Sequence, residues 1–371
     1  MTMPFIDLAA QQSRIRAKLD TAIAKVLDDG AYIMGAEVKQ FEDQLSAFCG
    51  ARHSLACANG TDALSLALMA LGVKTGDAIL VPSFTFAATA EVVPFIGATP
   101  IFIDVLPDTF NMDVESLKRG IQEAKRLGLN PKAVIPVDLF GLAADFDAIV
   151  PIARENGMAV IDDAAQGFGA DYHGRVVGSI GDITTTSFFP AKPLGCYGDG
   201  GAIFTNDDNL AALIDSYRIH GKGSHKYDNE RIGMNSRLDT LQAAILIEKL
   251  AIFADEIEER QKVAARYSAG LEGRYGTPYV PEGLKSTWAQ YTIKTRDEAE
   301  RQAVQEKAKA AGVPTAIYYP IPLHAQTAFR EYPRDPNGLP VSDDLARRVI
   351  SLPMHPYLGA QVQEKVIEAI V

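Results

Sequence analysis

Short apolar segments alternate with helical patterns through the first two thirds of the 371-residue chain. The apolar segments are rich in Val, Ile and Phe, which is typical of strands that are buried on both faces. Several of them are separated by segments whose apolar residues recur with helical spacing. This alternation predicts an α/β fold with a mostly parallel sheet flanked by helices. The predicted strands cover residues 78–84, 99–105, 133–140, 157–165 and 201–205, and the predicted helices cover residues 60–71, 114–127 and 145–155.

The pattern changes near Arg237, where the segment RLDTLQAAILIEKLAIFADEIEERQKVAARYSAGL begins. Its apolar residues recur with near-helical spacing, and Gly270 is expected to end this long helix. Shorter strand-like and helical segments follow, which indicates a smaller α+β unit. We therefore predict two domains. Residues 1–236 form a large domain that includes the N-terminal segment, and residues 237–371 form the linking helix and a small C-terminal domain.

The composition is that of a globular protein, with 47% hydrophobic and 22% charged residues, and the formal net charge is −11. An acidic chain has no overall attraction for nucleic acid or for anionic membranes, so we expect neither as a partner. No apolar run approaches the ~20 residues that span a bilayer, and the first residues do not have the pattern of a signal peptide. The three cysteines are sparse and lack metal-ligand spacing, which predicts no metal site and reduced thiols in a cytoplasmic protein.

Lys192 stands in the segment SFFPAKPLGCYGDGG, between two strand-like segments and with no charged neighbour before Asp199. The glycines that follow it would let the backbone approach a ligand closely. A lysine whose surroundings favour the neutral amine is a nucleophile and forms a Schiff base with a carbonyl compound. A surface lysine in a flexible loop is the alternative for this position taken alone. Cys196 is a weaker candidate nucleophile, because no histidine lies close to it in the sequence.

Two further segments are candidates for the same site. ANGTDAL opens an apolar helix at Gly60 and Thr61, and helix N-termini bind phosphate. A plain N-cap formed by Thr61 or Asp62 is the alternative. AVIDDAAQ places Asp162 and Asp163 at the end of an apolar strand, where ligands bind in open α/β sheets. A cap for the next helix is the alternative there.

PSFTFAATAE supplies an aromatic candidate, since Phe84 and Phe86 follow a predicted strand. One of the two rings is expected to lie against a heteroaromatic ring, and core packing is the better interpretation for Phe84. A phosphate-binding helix, a ring-facing aromatic, a strand-end carboxylate and a reactive lysine are together the groups that pyridoxal 5′-phosphate (PLP) requires. Their order along the chain is that of the fold-type I PLP enzymes.

Over essentially its whole length the chain resembles the PLP-dependent sugar aminotransferases of the DegT family. Eight segments in the same order carry the resemblance: PFIDLAAQ, GAYIMGAEVKQFE, ANGTDAL, PSFTFAATAE, VIDDAAQGFGA, SFFPAKPLGCYGDGGAIFT, GMNSRLDTLQAAIL and YYPIPLH. The resemblance implies the fold of the fold-type I transferases, PLP as cofactor, and transamination of a nucleotide-linked keto-sugar with glutamate as donor. Family members that act as dehydratases carry histidine in place of the lysine, so Lys192 argues against that activity.

The resemblance also implies roles for individual residues. Lys192 matches the lysine that binds PLP, and Asp163 matches the partner of the pyridine nitrogen, whereas Asp162 stands where the family often has Glu. Gln166 matches the neighbour of the ring hydroxyl, and Phe86 matches the stacking ring. The phosphate group is assigned to Gly60, Thr61 and Ser187, together with Asn235, which is expected to reach the cofactor of a neighbouring subunit. The implied assembly is a homodimer with shared active sites.

The segments HGKGSHKYDNERIGMNSRLDTLQAAIL and IYYPIPLH most resemble the subgroup that acts on UDP-2-acetamido-2-deoxy-3-keto-glucuronate in lipopolysaccharide biosynthesis. A uronate carboxylate needs a cation, and Arg237, two residues from Asn235, offers a bidentate partner. A surface arginine paired with Asp239 or Glu230 is the alternative.

Four other residues are assigned to the substrate. Tyr318 and Tyr319 are expected to bond sugar or carboxylate oxygens, although many relatives have His at the position of Tyr318. Gly30 and Tyr32, in GAYIMG, match a loop that lines the sugar nucleotide, and a core or turn role for Tyr32 stays open. His324 is expected to be a structural histidine. Two rival functions remain, namely transamination of another UDP- or dTDP-linked keto-sugar (a 3-keto- or 4-keto-6-deoxyhexose), and PLP binding by a regulatory protein without turnover.

Overall fold

The structure is a computed structural model that describes residues 3–225 and 227–371. Within these residues the helices are α1 Leu8–Asp29, α2 Ala36–Cys49, α3 Gly60–Ala70, α4 Ala88–Phe95, α5 Val114–Arg126, α6 Phe146–Glu155, α7 Asp208–Tyr217, α8 Thr240–Leu271, α9 Glu298–Ala310, α10 Pro340–Arg348 and α11 Ala360–Ile370. The strands are β1 His53–Cys57, β2 Asp77–Pro82, β3 Thr99–Ile103, β4 Asn130–Val134, β5 Ala159–Asp163, β6 Asp171–Tyr172, β7 Arg175–Val176, β8 Ile183–Ser187, β9 Gly201–Thr205, β10 Leu284–Lys285, β11 Tyr291–Lys294 and β12 Val349–Leu352.

Seven strands form the central sheet, in the order β1-β9-β8-β5-β4-β2-β3. Strands β3, β2, β4, β5 and β8 run parallel to one another, whereas β9 is antiparallel to both β8 and β1. One face of the sheet packs against α3, α4 and α7, and the other packs against α5 and α6. The predicted α/β class with a mostly parallel, helix-covered sheet is therefore confirmed, whereas strand β1 and the antiparallel edge that it forms with β9 were not predicted.

Local sequence explains where several helices begin. Helices α5, α6 and α7 each start directly after an aspartate whose side chain accepts a hydrogen bond from a backbone N–H of the first turn, namely Asp113, Asp145 and Asp207. Such caps satisfy amides that the helix itself leaves without a partner. For α5 and α6, which were predicted to begin at residues 114 and 145, the predicted and observed starts consequently agree to within one residue, whereas α7 was not predicted.

Two predicted boundaries are wrong. The strand predicted at residues 133–140 is β4, which ends at Val134. Pro136, which lacks an N–H, follows, and Leu139–Gly141 forms a 3-10 turn in which Phe140 has φ 59°. Gly270 does not end α8 but lies in its last turn, where an added Cβ would be 2.6 Å from Ile367 Cδ1. This glycine allows α8 and α11 to pack closely.

Helix α8 is 32 residues long and joins two hydrophobic cores. Its first half contributes Leu246 and Phe253 to a core shared with α2 and β9, and its second half contributes Val263 and Tyr267 to a core built with β11, β12 and α11. The predicted division between residues 236 and 237 falls just before this helix and stays a prediction. No helix in the described ranges is both long enough and apolar enough to cross a membrane.

Candidate active site

A cavity of about 980 Å³ lies at the carboxyl ends of the parallel strands, between the sheet and the segment that carries Tyr318. Open α/β sheets bind ligands at this edge. The structure brings nine of the sequence-predicted residues to its lining: Gly60, Thr61, Phe86, Asp163, Gln166, Ser187, Lys192, Tyr318 and Tyr319.

The N-terminus of α3 forms one end of the cavity. Asn59 caps this helix, because its side chain accepts a hydrogen bond of 2.8 Å from the backbone N–H of Asp62. The alternative interpretation, in which Thr61 or Asp62 forms the cap, is therefore wrong. Gly60 lies so close to the end of β8 that an added Cβ would be 2.8 Å from Ser187 Cβ. The helix terminus and Ser187 thus form a compact pocket whose partial positive charge suits a phosphate group.

Asp163 is buried at the end of β5 and lines the cavity. Its carboxylate accepts hydrogen bonds from Thr89 Oγ1 at 2.8 Å and from the backbone N–H of Ala165 at 3.2 Å. Burial raises the pKa of Asp163, while these two hydrogen bonds and the charge of Lys192 oppose the increase. A cation inside the cavity would therefore stabilise the ionised form further.

Lys192 lies partly buried in the cavity lining, and its backbone N–H donates to the carbonyl of Phe189 at 2.8 Å. Burial lowers the pKa of Lys192, and the nearby carboxylate of Asp163 opposes that decrease. Within the described part of the chain its amine takes part in no hydrogen bond or ion pair. An amine with a lowered pKa and no bonded partner is equipped to attack a carbonyl carbon.

Gln166 connects two sides of the cavity. Its Oε1 accepts a hydrogen bond of 2.6 Å from the backbone N–H of Phe140, and its Nε2 donates to Tyr319 Oη at 3.2 Å. The ring of Tyr319 lies with its centroid 6.4 Å from that of Phe86. Phe86 is 57% exposed within this space, whereas Phe84 is 1% exposed and belongs to the core, as predicted. Aromatic rings therefore border the space above the Asp163 carboxylate.

Asn235 and Arg237 lie outside this cavity. They line a second cavity of about 510 Å³, which shares Asn59 and Asp199 with the first. Arg237 Nε donates to Asn235 Oδ1 at 2.9 Å, and no carboxylate of the described residues lies within 4.0 Å of the guanidinium group. The arginine is thus free to bind an anion from outside this chain.

Gly30 and Tyr32 line neither cavity. Gly30 ends α1 with φ 67°, and its N–H donates to the carbonyl of Val26 at 3.0 Å. The carbonyl of Tyr32 accepts a hydrogen bond of 3.0 Å from the N–H of Thr240, and its side chain is 48% exposed. Within one chain these two residues form a turn that precedes α2, and the tyrosine ring stays accessible.

Comparison with known proteins identifies the family. A sequence model described as the DegT/DnrJ/EryC1/StrS aminotransferase family matches residues 13–371. The chain belongs to this aminotransferase family. The predicted family and the aminotransferase class are thereby confirmed.

Three similar proteins illustrate the match. The UDP-2-acetamido-2-deoxy-3-oxo-D-glucuronate aminotransferase of Pseudomonas aeruginosa is 51% identical, over 95% of each chain. A pleiotropic regulatory protein of Geobacillus stearothermophilus is 40% identical, over 100% of this chain and 98% of its own. The crystal structure of a DegT DnrJ EryC1 StrS aminotransferase from Brucella abortus superimposes with a TM-score of 0.97 at 52% identity, and the match covers 99% of this chain and 98% of that one.

Two other sequence candidates of the aminotransferase are structural. Cys196 is buried, its Sγ donates to the carbonyl of Phe188 at 3.0 Å, and burial raises its pKa to about 11, which opposes a nucleophilic role. His324 is buried, with Nδ1 2.7 Å from Ser83 Oγ and Nε2 3.3 Å from Asp343, as expected for a structural histidine.

Sequence reasoning missed Thr89, which holds the carboxylate of Asp163 and also lines the cavity of the aminotransferase. The available signal was its position in PSFTFAATAE, three residues after Phe86 and therefore one helical turn further along. Nothing in the local sequence indicates which of the two threonines of that segment reaches the strand-end acid.

Proposed function

We propose that the protein transfers the amino group of glutamate to a nucleotide-linked keto-sugar, with PLP as the cofactor. The proposed acceptor is UDP-2-acetamido-2-deoxy-3-keto-glucuronate, and the product is its 3-amino sugar. The observation that carries the proposal is the unbonded amine of Lys192 beside the buried carboxylate of Asp163, in a cavity of about 980 Å³. The relative from P. aeruginosa, at 51% identity, supports the choice of acceptor.

The residues present fit PLP. Gly60 allows the N-terminus of α3 to approach Ser187, and an added Cβ at Gly201 would be 2.6 Å from the backbone of Asn59, so this end of the cavity depends on small residues. It suits the phosphate group. Asp163 suits the ring nitrogen, and the exposed face of Phe86 suits the ring itself. When bound, PLP supplies an aldehyde and an electron-accepting ring, which together allow an amino group to be exchanged.

The side chains of the protein do the remaining work. Lys192 Nζ supplies the amine that binds the cofactor covalently, and once released it moves the proton at the reacting carbon of the amino donor and of the keto-sugar. Its lowered pKa favours the neutral amine that this role needs. Asp163 stabilises a positive charge on the ring nitrogen, and Thr89 fixes the orientation of that carboxylate.

Charge in the lining supports a homodimer with shared active sites. Among the described residues, the charged ones that line the cavity are Lys192 and three acids, Asp62, Asp163 and Asp199. A nucleotide-linked uronate carries a diphosphate and a carboxylate, and these acids would repel both groups. We therefore propose that Arg237 of the partner subunit, together with its Asn235, supplies the missing positive charge and hydrogen bonds.

The surface around the second cavity supports the same assembly. Tyr32, Ile33 and Met34 are exposed by 48%, 49% and 38%, and Ile33 lines that cavity. Adjacent exposed apolar side chains of this size are typical of a protein–protein contact. A subunit contact here would bring Gly30 and Tyr32 to the sugar nucleotide, which is the role that the family resemblance implies for them.

The proposal includes a role in the biosynthesis of lipopolysaccharide sugars in the cytoplasm. The resemblance to the 3-keto-glucuronate subgroup supports the first part. The three cysteines, which are all buried and form no disulfide, support the second.

A panel of acceptors tests the proposal. The purified protein with PLP and glutamate is offered UDP-2-acetamido-2-deoxy-3-keto-glucuronate, the neutral 3-keto analogue, and UDP- and dTDP-linked 4-keto-6-deoxyhexoses, and release of 2-oxoglutarate is measured. We expect the uronate to be the best acceptor. A faster neutral sugar would overturn the substrate assignment. Cofactor binding without sustained formation of 2-oxoglutarate from glutamate, whichever acceptor is present, would instead indicate a regulatory protein, a function that the name of the G. stearothermophilus relative suggests.

A further inference from the structure

Lys249 is a buried lysine on helix α8, and sequence reasoning assigned it no role. Its side chain is 1% exposed. Its Nζ donates a hydrogen bond of 2.5 Å to the carbonyl of Gly195 and lies 4.1 Å from the ring centroid of Tyr197. Both partners belong to the loop of residues 188–200 that carries Lys192, which we call the lysine loop.

The surroundings of Lys249 are unusual for a buried cation. No carboxylate of the described residues lies within 4.0 Å of its amine, although buried lysines are normally paired. Burial lowers its pKa to about 8, with Cys196 and Glu256 opposing that decrease. Keeping an unpaired amine in the interior costs stability. The contact with the lysine loop is the one hydrogen bond that this amine makes among the described residues.

The path from Lys249 to Lys192 is short and stiff. Gly195 is three residues from Lys192, and between them Pro193 has a fixed φ while Leu194 is buried in the core beside α8. Gly195 itself is held tightly, because an added Cβ would be 2.6 Å from the carbonyl oxygen of Pro190. A displacement of the Gly195 carbonyl would therefore move the backbone of Lys192.

A second residue of α8 holds the same loop. The backbone N–H of Tyr197 donates to Gln242 Oε1 at 2.9 Å, and Gln242 lies two helical turns before Lys249 on the same side of the helix. Two side chains of one rigid helix thus bind backbone groups on either side of Cys196. The thiol of Cys196 itself donates to the carbonyls of Phe188 and Gly198, and both of these hydrogen bonds are internal to the loop.

We infer that Lys249 is a positioning residue for Lys192, because it fixes the lysine loop against helix α8 through the carbonyl of Gly195. The inference rests on the proposed role of Lys192 in transamination. The amine of Lys192 must reach both the cofactor and the reacting carbon, and a shift of about 1 Å in a reacting group costs on the order of 10²-fold in rate. Loss of the Lys249 contact therefore lowers kcat more than it raises KM.

The test compares Lys249→Met with a matched variant, Lys294→Met. Lys294 also donates 2.5 Å to a carbonyl, that of Pro107, and lies 5.8 Å from the ring centroid of Phe110, but it contacts no residue of the lysine loop. We expect Lys249→Met holoenzyme to lose about 10- to 100-fold in kcat with KM for the keto-sugar within about twofold of wild type. Lys294→Met should keep both constants, whatever it does to the melting temperature.

Hydrogen exchange of the apoprotein supplies a second measurement that needs no turnover. The peptide that covers residues 188–200 should exchange faster in Lys249→Met than in wild type or in Lys294→Met, because the loop has lost an anchor. Wild-type kcat together with wild-type exchange in Lys249→Met would overturn the inference. A fall in kcat without faster exchange in the loop would overturn it as well, since the defect would then lie elsewhere.

If Lys249→Met gives no folded protein, a second variant with a shorter amide side chain, Lys249→Gln, provides the same test. Lys249→Gln retains an N–H donor and should show intermediate kcat and intermediate loop exchange, and wild-type values for both would refute the positioning role. Failure of the proposed function is distinguishable, because wild-type protein would then release no 2-oxoglutarate while the exchange comparison would still report on the anchor.

Discussion

Asp162 and Asp163 are neighbours at the end of strand β5, but they lie on opposite faces of the sheet and in different surroundings. Asp163 lines the cavity and is held by Thr89 beside Lys192. Asp162 points into the protein, where Thr184 Oγ1 donates to its Oδ2 at 3.3 Å. Its other oxygen has no donor among the described residues.

The buried carboxyl group of Asp138 accounts for the surroundings of Asp162. Its Oδ1 accepts a hydrogen bond of 2.8 Å from the N–H of Ala144, and its Oδ2 likewise has no donor in the described chain. Burial raises the pKa of Asp138 to about 8 and also raises that of Asp162, and the negative charge of each carboxyl group opposes ionisation of its neighbours. A proton shared between them satisfies both oxygens.

The comparison shows that two identical residues at the end of one strand favour opposite protonation states. The carboxylate of Asp163 is useful while it is ionised, because a cation approaches it from the cavity. The Asp138–Asp162 pair is stable while it keeps a proton, because no cationic side chain of the described residues lies within 4.0 Å of either carboxyl group. Changes on the cavity face should therefore alter chemistry, and changes on the interior face should alter stability.

The largest effect is expected from Lys192→Ala, which removes the amine on the cavity face. Turnover should fall by at least about 10³-fold, because both the covalent anchor and the proton carrier are lost. Cofactor should still bind non-covalently, since Asp163 and the α3 terminus remain. Borohydride reduction followed by peptide mapping should find the cofactor on residue 192 of wild type and none in the variant. Transamination by the variant at the wild-type rate would refute the assignment.

The next effect separates the two acids directly. Asp163→Asn removes the negative charge that favours a protonated ring nitrogen, and kcat should fall on the order of 10²-fold, as when other preorganised electrostatic partners are removed. Asp162→Asn is the matched control and should change kcat little, because Asp162 does not line the cavity and its side chain is bonded by Thr184 in the interior. Steady-state kinetics of both variants checks this prediction. Equal losses of kcat in the two variants would show that the two faces of β5 do not differ in their contribution to catalysis.

Much of the cavity face could be predicted from the sequence because its signals are local. An Asn-Gly-Thr-Asp segment that opens an apolar helix, acids at the end of an apolar strand and a lysine among glycines are each visible within a dozen residues, and parallel strands bring such ends together at one edge. The same reasoning placed Phe86 in the cavity and Phe84 in the core.

The rest depends on contacts between distant segments. Asp138 lies in what was predicted as one long strand, but β4 ends at Val134, and the position of Asp138 beside Asp162 follows from tertiary packing of the segment beyond it. Lys249 appears on a helix as one more polar residue, and only the packing of α8 against the lysine loop shows its burial. The cap at Asn59 was missed because Thr61 and Asp62 are equally good capping residues on paper.

Arg237→Ala tests how far the cavity face extends beyond one subunit. A charged hydrogen bond to the carboxylate of the uronate contributes about 1.5–3 kcal/mol, so kcat/KM for the uronate should fall about 10- to 100-fold. The fall for a neutral keto-sugar should be much smaller. Arg231→Ala, which removes an arginine that pairs with Glu230, is the control and should affect both acceptors equally. Equal losses for the two acceptors in Arg237→Ala would remove the carboxylate role.

The smallest expected effect is a pH-dependent change in the melting temperature when Asp138, beside Asp162 on the interior face of β5, is replaced. The pKa of Asp138 is raised to about 8 in the folded protein, so between about pH 4 and pH 8 the folded state keeps a proton that the unfolded chain has lost. The stabilisation that this proton provides is present at low pH and is lost as the pH rises through about 8. Asp138→Asn stays neutral throughout, so its melting temperature relative to wild type should be higher at pH 8.5 than at pH 5.5, by about 2–4 °C.

Asp43→Asn, at a site whose side chain is 64% exposed, is the control for this last comparison, and its melting temperature relative to wild type should change little between the two pH values. The measurement is made on the apoprotein, because bound cofactor would add its own pH dependence through Asp163 and Lys192. The absence of any difference between the two pH values for Asp138→Asn would mean that the interior pair is already ionised at pH 5.5. The two faces of β5 would then both hold a negative charge, and the separation between catalysis on one face and stability on the other would fail.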